Sequence, residues 1–223
     1  MPFSESDVPA ELIAAVKRGD VVPLIGAGFS KQVDSAVPNW TELLAKFYDY
    51  AADQGHITAE QRLEIKEMVE RGRFLVAAQE LREQVPDSEY FVLIDQLFSD
   101  RDVGASAVHD LLWQLRPALV MTTNYDRFIE NSYAKRFGGV PTVFLYDSAE
   151  GLQRQIQAGR LSAQPPMIFK LHGSIDRPDS IVLSEREYRG LIHRQPGYRL
   201  VLSGIFLTKV VLMLGFSGDD PEL

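Results

Sequence analysis

The sequence predicts an α/β protein: a Rossmann-like, doubly wound parallel sheet with a helical lobe inserted after its first strand. Three observations lead there. Apolar runs of strand length recur at 21–25, 118–122, 142–146, 167–171 and 210–215. The later runs are separated by stretches of helical periodicity, and strands spaced by helices pair in parallel. Between residues 40 and 115 the patterns are helical alone, so that block interrupts the alternation rather than continuing it.

The elements follow in order. Residues 7–18 open with Asp7 and Pro9, close at Gly19 and carry Leu12, Ile13 and Val16 on one face, the pattern of a capped amphipathic helix. The run 21–25 follows directly as the first strand. Within the helical block, Gly55, Gly72, Pro86 and Gly104 mark boundaries, and Thr58 with Gln61 forms a T-x-x-Q capping box. After the second strand a helix carries Phe128, Ile129, Tyr133 and Phe137 and stops at Gly138 and Gly139. A short strand is expected at 181–183, then a helix opened by the capping box Ser184 and Glu187, and another over 197–208. Asp219, Asp220 and Pro221 signal one more helix with Glu222 and Leu223 alone behind them, which predicts a fragment of a longer protein. The missing part is expected to complete the pocket or to carry a partner or sensor domain.

Composition narrows the function classes. A chain of 223 residues, 45% hydrophobic, can bury a sizeable core with a lobe beside it. Its 23 basic and 31 acidic side chains leave a net charge of −8 without a Lys/Arg cluster, which argues against direct nucleic-acid binding. No cysteine occurs, so disulfides and thiolate zinc sites are excluded and a metal site would need His and carboxylates alone. The N-terminus has neither a basic n-region nor an apolar h-region, and no apolar run reaches membrane-spanning length. The expectation is a cytoplasmic protein that does not engage membranes.

Four motifs carry the chemistry: LIGAGFS at 24–30, TTNYD at 122–126, KLHGS at 170–174 and LGFSGDDP at 214–221. Each follows an apolar run, and the carboxyl ends of strands in an open α/β sheet line one crevice. Gly26 and Gly28 permit a tight turn and close approach of backbone N–H groups to a pyrophosphate, with the Ser30 hydroxyl at a helix N-terminus. The alternative is a strand-to-helix turn that uses glycine for geometry alone. The dehydrogenase fingerprint fails because Lys31 stands where a third glycine is required, and no G-K-S/T of a Walker loop follows. In TTNYD a helix cap accounts for Asn124 or Asp126 but not for a run of four hydrogen-bonding side chains around Tyr125. His172, alone at a strand end, is either a structural hydrogen-bonder or an acid–base group.

Together the motifs resemble the sirtuin family, and more closely its branch in prokaryotic antiphage defence proteins. GAGFS resembles the family's G-A-G-x-S loop, TTNYD its T-Q-N-x-D segment, His172-Gly173 its H-G, and Gly215-Phe216-Ser217 its late G-T-S loop. The resemblance implies a sirtuin-type fold that binds NAD. Gly26, Ala27, Gly28, Phe29 and Ser30 would form the diphosphate loop, with Thr123 and Gly215 beside it. Asn124 and Asp126 would serve the nicotinamide ribose, His172 would be the base, and Ser217 would meet phosphate or the adenosine ribose. Asp126 either orients these groups or caps the helix.

Two departures alter the implied reaction. Sirtuin deacylases carry a four-cysteine zinc module, absent here, and a G-I-P-D-F-R stretch where this chain reads Val37-Pro38-Asn39-Trp40. The resemblance therefore implies NAD hydrolysis to nicotinamide and ADP-ribose, with water as acceptor, NAD as substrate and no metal. An oligomer or attached partner domain is expected to control it. The alternatives are a module that binds ADP-ribose or a cyclic nucleotide derivative without cleaving it, and an NAD-dependent deacylase or ADP-ribosyltransferase.

Overall fold

The computed structural model describes residues 8–98, 106–162 and 165–216. Helix α1 (Ala10–Arg18) leads into strand β1 (Val21–Ile25) and helix α2 (Ala27–Val33). A helical block follows: α3 (Trp40–Asp53), α4 (Ala59–Glu70), α5 (Phe74–Gln84), α6 (Asp87–Phe98) and α7 (Ala107–Gln114). The chain then alternates through β2 (Leu119–Thr122), α8 (Phe128–Phe137), β3 (Val143–Leu145), α9 (Ala149–Gln157) and β4 (Met167–Lys170). It closes with α10 (Glu185–Arg194), α11 (Pro196–Thr208) and β5 (Val210–Leu214). The five strands lie in the order β3-β4-β2-β1-β5, every pair parallel.

Burial explains the sheet. Every residue of β1, β2 and β4 is buried, as helices on both faces require, while β3 and β5 are the partly exposed edges. One face is covered by α9, α10 and α11 through Leu152, Leu191, Val201 and Ile205. The other is covered by α2, α7 and α8 through Phe29, Trp113, Ile129 and Tyr133. The helical block has its own core, including Leu44, Phe47, Leu81 and Ile94. That core also takes in Tyr125 and Phe128 after β2 and Ile175, Ile181 and Leu183 after β4. The block thus packs on the segments that leave the carboxyl ends of β2 and β4.

Local chemistry sets the helix ends. Gly19 and Gly138 stand in the left-handed region at φ 71° and close α1 and α8. The capping boxes Thr58–Gln61 and Ser184–Glu187 are formed, and a third joins Asn39 to Glu42.

Several expectations change. α1 starts at Ala10, with Pro9 at its cap and no side-chain cap bond; Asp7, like Gly104, Ser217 and the Asp219 to Pro221 signal, lies outside the described residues. α2 begins directly after Gly26, so Ser30 lies inside the helix rather than at its N-terminus. Residues 181–183 are buried but form no strand. Ile181 and Leu183 face the helical block and Val182 the sheet-face core, so their alternation reflects burial from two sides without a ladder. α9 is unannounced in sequence because its surface is polar and it buries little beyond Ala149 and Leu152.

The strand ends are joined by a buried cation. Lys170, the last residue of β4, has no side-chain exposure; its Nζ lies 2.9 Å from Glu130 Oε1 and donates to the carbonyls of Asp126 at 2.5 Å and Tyr125 at 3.2 Å. Removing one member of such a buried pair leaves the other charge uncompensated, at a cost of about 3–5 kcal/mol. Lys170→Met should therefore lower the urea midpoint by that equivalent at an unchanged m-value, and Lys170→Met with Glu130→Leu should recover most of the loss. Equal midpoints for the single variant and the parent would remove this role.

Candidate functional site

The glycine loop packs against protein. Gly26 N–H donates to Leu214 O at 2.9 Å and Gly28 N–H to Gly215 O at 2.8 Å, tying the loop after β1 to the end of β5. A Cβ on Gly28 would stand 2.7 Å from Gly215 O, and one on Gly215 (φ +78°) would stand 2.2 Å from Phe29 N. These glycines are required because two backbones touch. The sequence reading aims the Gly26 and Gly28 N–H groups at a pyrophosphate, whereas in the fold both are engaged by β5. Phe29 is buried and meets the His109 ring edge-on at 5.5 Å, away from the crevice.

Asn124 is the centre of the loop contacts. Its Nδ2 donates to Gly26 O at 3.0 Å and to Ser30 Oγ at 2.8 Å, and its own N–H donates to Thr122 Oγ1. The donor end of the amide is therefore turned toward the glycine loop. Thr123 N–H bonds Ile25 O at 3.1 Å, locking TTNYD beside β1. Tyr125 points into the core, its hydroxyl donating to Val182 O at 2.7 Å. Asp126 Oδ1 accepts the Phe128 N–H at 3.0 Å, so it caps the approach to α8, while its buried Oδ2 accepts no hydrogen bond among the described residues. Burial holds the His109 imidazole below its ordinary pKa, partly offset by the Asp126 carboxylate.

His172 is 2% exposed, and its Nε2 lies 2.9 Å from the Tyr188 hydroxyl. Its carbonyl accepts Val182 N–H, and the turn that follows needs Gly173, at φ +88°, because a Cβ there would lie 2.1 Å from Ser180 O.

Three hollows run together at the carboxyl ends of β1, β2, β4 and β5. The first lies between Asn39, Trp40 and Phe98 on one side and Thr123, Asn124 and Asp126 on the other. The second, about 370 Å³, is lined by Ala27, Gly28, Lys31, Gly215 and Phe216. The third, about 350 Å³, holds His172 and Tyr188 with Tyr198 and Leu202 of α11. Ala27 borders the first and second, Thr123 the first and third, and Phe216 the second and third, so the hollows form one crevice. The second and third hollows lie within the roughly 300–1,000 Å³ of small-molecule sites, while the first, about 40 Å³, is much narrower. Asn39 lines the crevice, with Oδ1 accepting Glu42 N–H at the start of α3. Lys31 pairs with Glu42 and draws its carboxyl below the usual range. Among the described residues no group of three or more His, Asp or Glu side chains is placed to hold a metal ion.

Residues 118–223 match the family model of the SIR2-like domain. The chain is 27% identical to NAD(+) hydrolase ThsA of Cytobacillus dafuensis over 96% of this chain and 38% of that relative. It is 24% identical to NAD(+) hydrolase ThsA of Acinetobacter baumannii over 95% of this chain and 39% of the relative. Defense-associated sirtuin 2 of Bacillus subtilis matches at 23% identity over 96% of this chain and 19% of its own length. The chain therefore spans about two-fifths or less of these curated relatives.

The fold brings Ala27, Gly28, Thr123, Asn124, Asp126, His172 and Gly215 to one crevice. Phe29 and Ser30 support it from behind, and Ser217 lies outside the described residues. Sequence reasoning missed Tyr188, Trp40 and Lys31. The Ser184 capping box places Tyr188 in the first turns of a helix, but nothing local shows that this helix faces His172. Because the Asn124 amide satisfies two buried acceptors, Asn124→Ala should cost about 1–3 kcal/mol of stability as well as any chemistry. Thermal unfolding checks this, and Ser30→Ala should lose less, since Gly26 O keeps its donor.

Proposed function

We propose that this chain is the NAD-cleaving domain of an antiphage defence protein, hydrolysing NAD to nicotinamide and ADP-ribose. The observation that carries the reading is the placement of His172 and the Asn124 to Asp126 loop on one crevice, joined at Thr123, within a SIR2-like domain. Relatives named NAD(+) hydrolase support it.

The chemistry follows from the walls. The narrow hollow between Asn39, Trp40, Phe98 and Asp126 widens to receive the nicotinamide, with aromatic surface to exclude water. The diphosphate lies along Ala27, Gly28 and Gly215, with Lys31 as a nearby cation and Ser217 following in the chain. Asn124 offers Oδ1 to a ribose hydroxyl, since its Nδ2 is engaged. The bond from ribose C1′ to nicotinamide breaks with its electron pair leaving on nicotinamide, and positive charge develops on the ribose. Water oxygen then bonds C1′, and its proton passes to the His172 side before release to solvent. Asp126 supports the loop and places negative charge beside the developing cation.

A zinc lobe of the cysteine type cannot form in a chain without cysteine, and in this reading water rather than acyl-lysine is the acceptor. Assembly into an oligomer, or a domain attached outside the matched span, controls access to the crevice, and the cytoplasmic NAD pool is the target. Control of this kind acts on the population of the competent pocket.

The test is incubation with NAD, with nicotinamide and ADP-ribose measured over time. His172→Ala should lower release by about 10²-fold or more with the fold intact by circular dichroism. A chelator should leave the rate unchanged, and acetyl-lysine peptide should be unnecessary. Tight ADP-ribose binding without turnover would favour a binding module, and product formed with peptide alone would favour a deacylase.

A further inference from the structure

His172 is almost fully buried, whereas Tyr188 is partly exposed in the same hollow, and the two are joined at 2.9 Å through Nε2 and the phenol oxygen. We propose that Tyr188 and His172 act as a two-membered proton relay, Tyr188 being the member that touches the attacking water. This rests on the NAD-cleavage reading above.

The arrangement is built rather than incidental. The rings meet edge to face at 5.2 Å and 61°, which fixes the phenol against the imidazole. Tyr188 follows Glu187, whose Oε2 accepts the N–H groups of Leu183 at 2.9 Å and Ser184 at 2.8 Å. Arg82 of α5 reaches Glu187 Oε1 at 3.4 Å, so the helical block also anchors this turn of α10. On the His172 side, Val182 N–H bonds the His172 carbonyl at 3.0 Å. Both partners are therefore held from behind.

In the relay the Tyr188 hydroxyl donates to Nε2 and the ring carries its proton on Nδ1. As water oxygen bonds ribose C1′, one water proton moves to the Tyr188 oxygen and the phenol proton moves to Nε2. Tyr188 ends neutral and His172 ends as imidazolium, which then releases its proton to solvent. No charge is left on the phenol at any stage.

Tyr188→Phe keeps the ring and removes the hydroxyl. In the parent, ¹⁵N spectra should show His172 Nε2 as a hydrogen-bonded acceptor, and in Tyr188→Phe that signature should be lost. Nicotinamide release by Tyr188→Phe should fall about 10-fold or more in kcat with KM within about two-fold, and Tyr188→Phe with His172→Ala should be no slower than His172→Ala alone. An active parent matched in kcat by Tyr188→Phe would overturn the relay and leave the cleavage reading standing. A full-length, assembled parent that releases no nicotinamide would overturn both, and an unchanged ¹⁵N signature would overturn the contact itself.

Discussion

The site depends on a buried ammonium. Lys170 ends β4 with no side-chain exposure, and a charge so placed is costly unless acceptors surround it. The carbonyls of Tyr125 and Asp126 and the carboxylate of Glu130 supply them. By meeting that requirement the chain also fixes the backbone after β2 and the first turn of α8 relative to β4. Asn124 and His172 leave from the two ends of this brace, so their separation across the crevice follows from an electrostatic constraint in the core.

A second set of contacts positions the loop after β1. Asn124 reaches Gly26 and Ser30, while the N–H groups of Gly26 and Gly28 reach the last residues of β5. Glycine is needed at 26, 28 and 215 because each lies within van der Waals contact of another main chain. The loop is thus defined by protein–protein contact before any ligand is considered. Its crevice-facing surface is offered by Ala27 and Lys31 as much as by the glycines themselves.

The helical block does more than cover the sheet. Its core includes side chains from the segments after β2 and β4, and Arg82 holds Glu187 at the start of α10. Trp40 and Phe98, from its first and fourth helices, form a wall of the hollow opposite Asn124. Movement of this block would open or close that hollow.

The sequence by itself determined the strands and the place of the motifs. Buried parallel strands are continuous apolar runs, and the residues immediately after them must lie at one end of the sheet. The start of β1, the Thr58 and Ser184 capping boxes and the glycine that ends α8 were legible because each depends on neighbours a few positions away. α9 and the irregular segment 181–183 were not, because burial there comes from distant elements. Tertiary structure alone decided that the glycine N–H groups face β5, that Asn124 turns its donor end inward, and that Tyr188 meets His172. Each of these is a hydrogen bond between residues remote in the chain, and a local pattern carries no record of which acceptor folding will bring within reach.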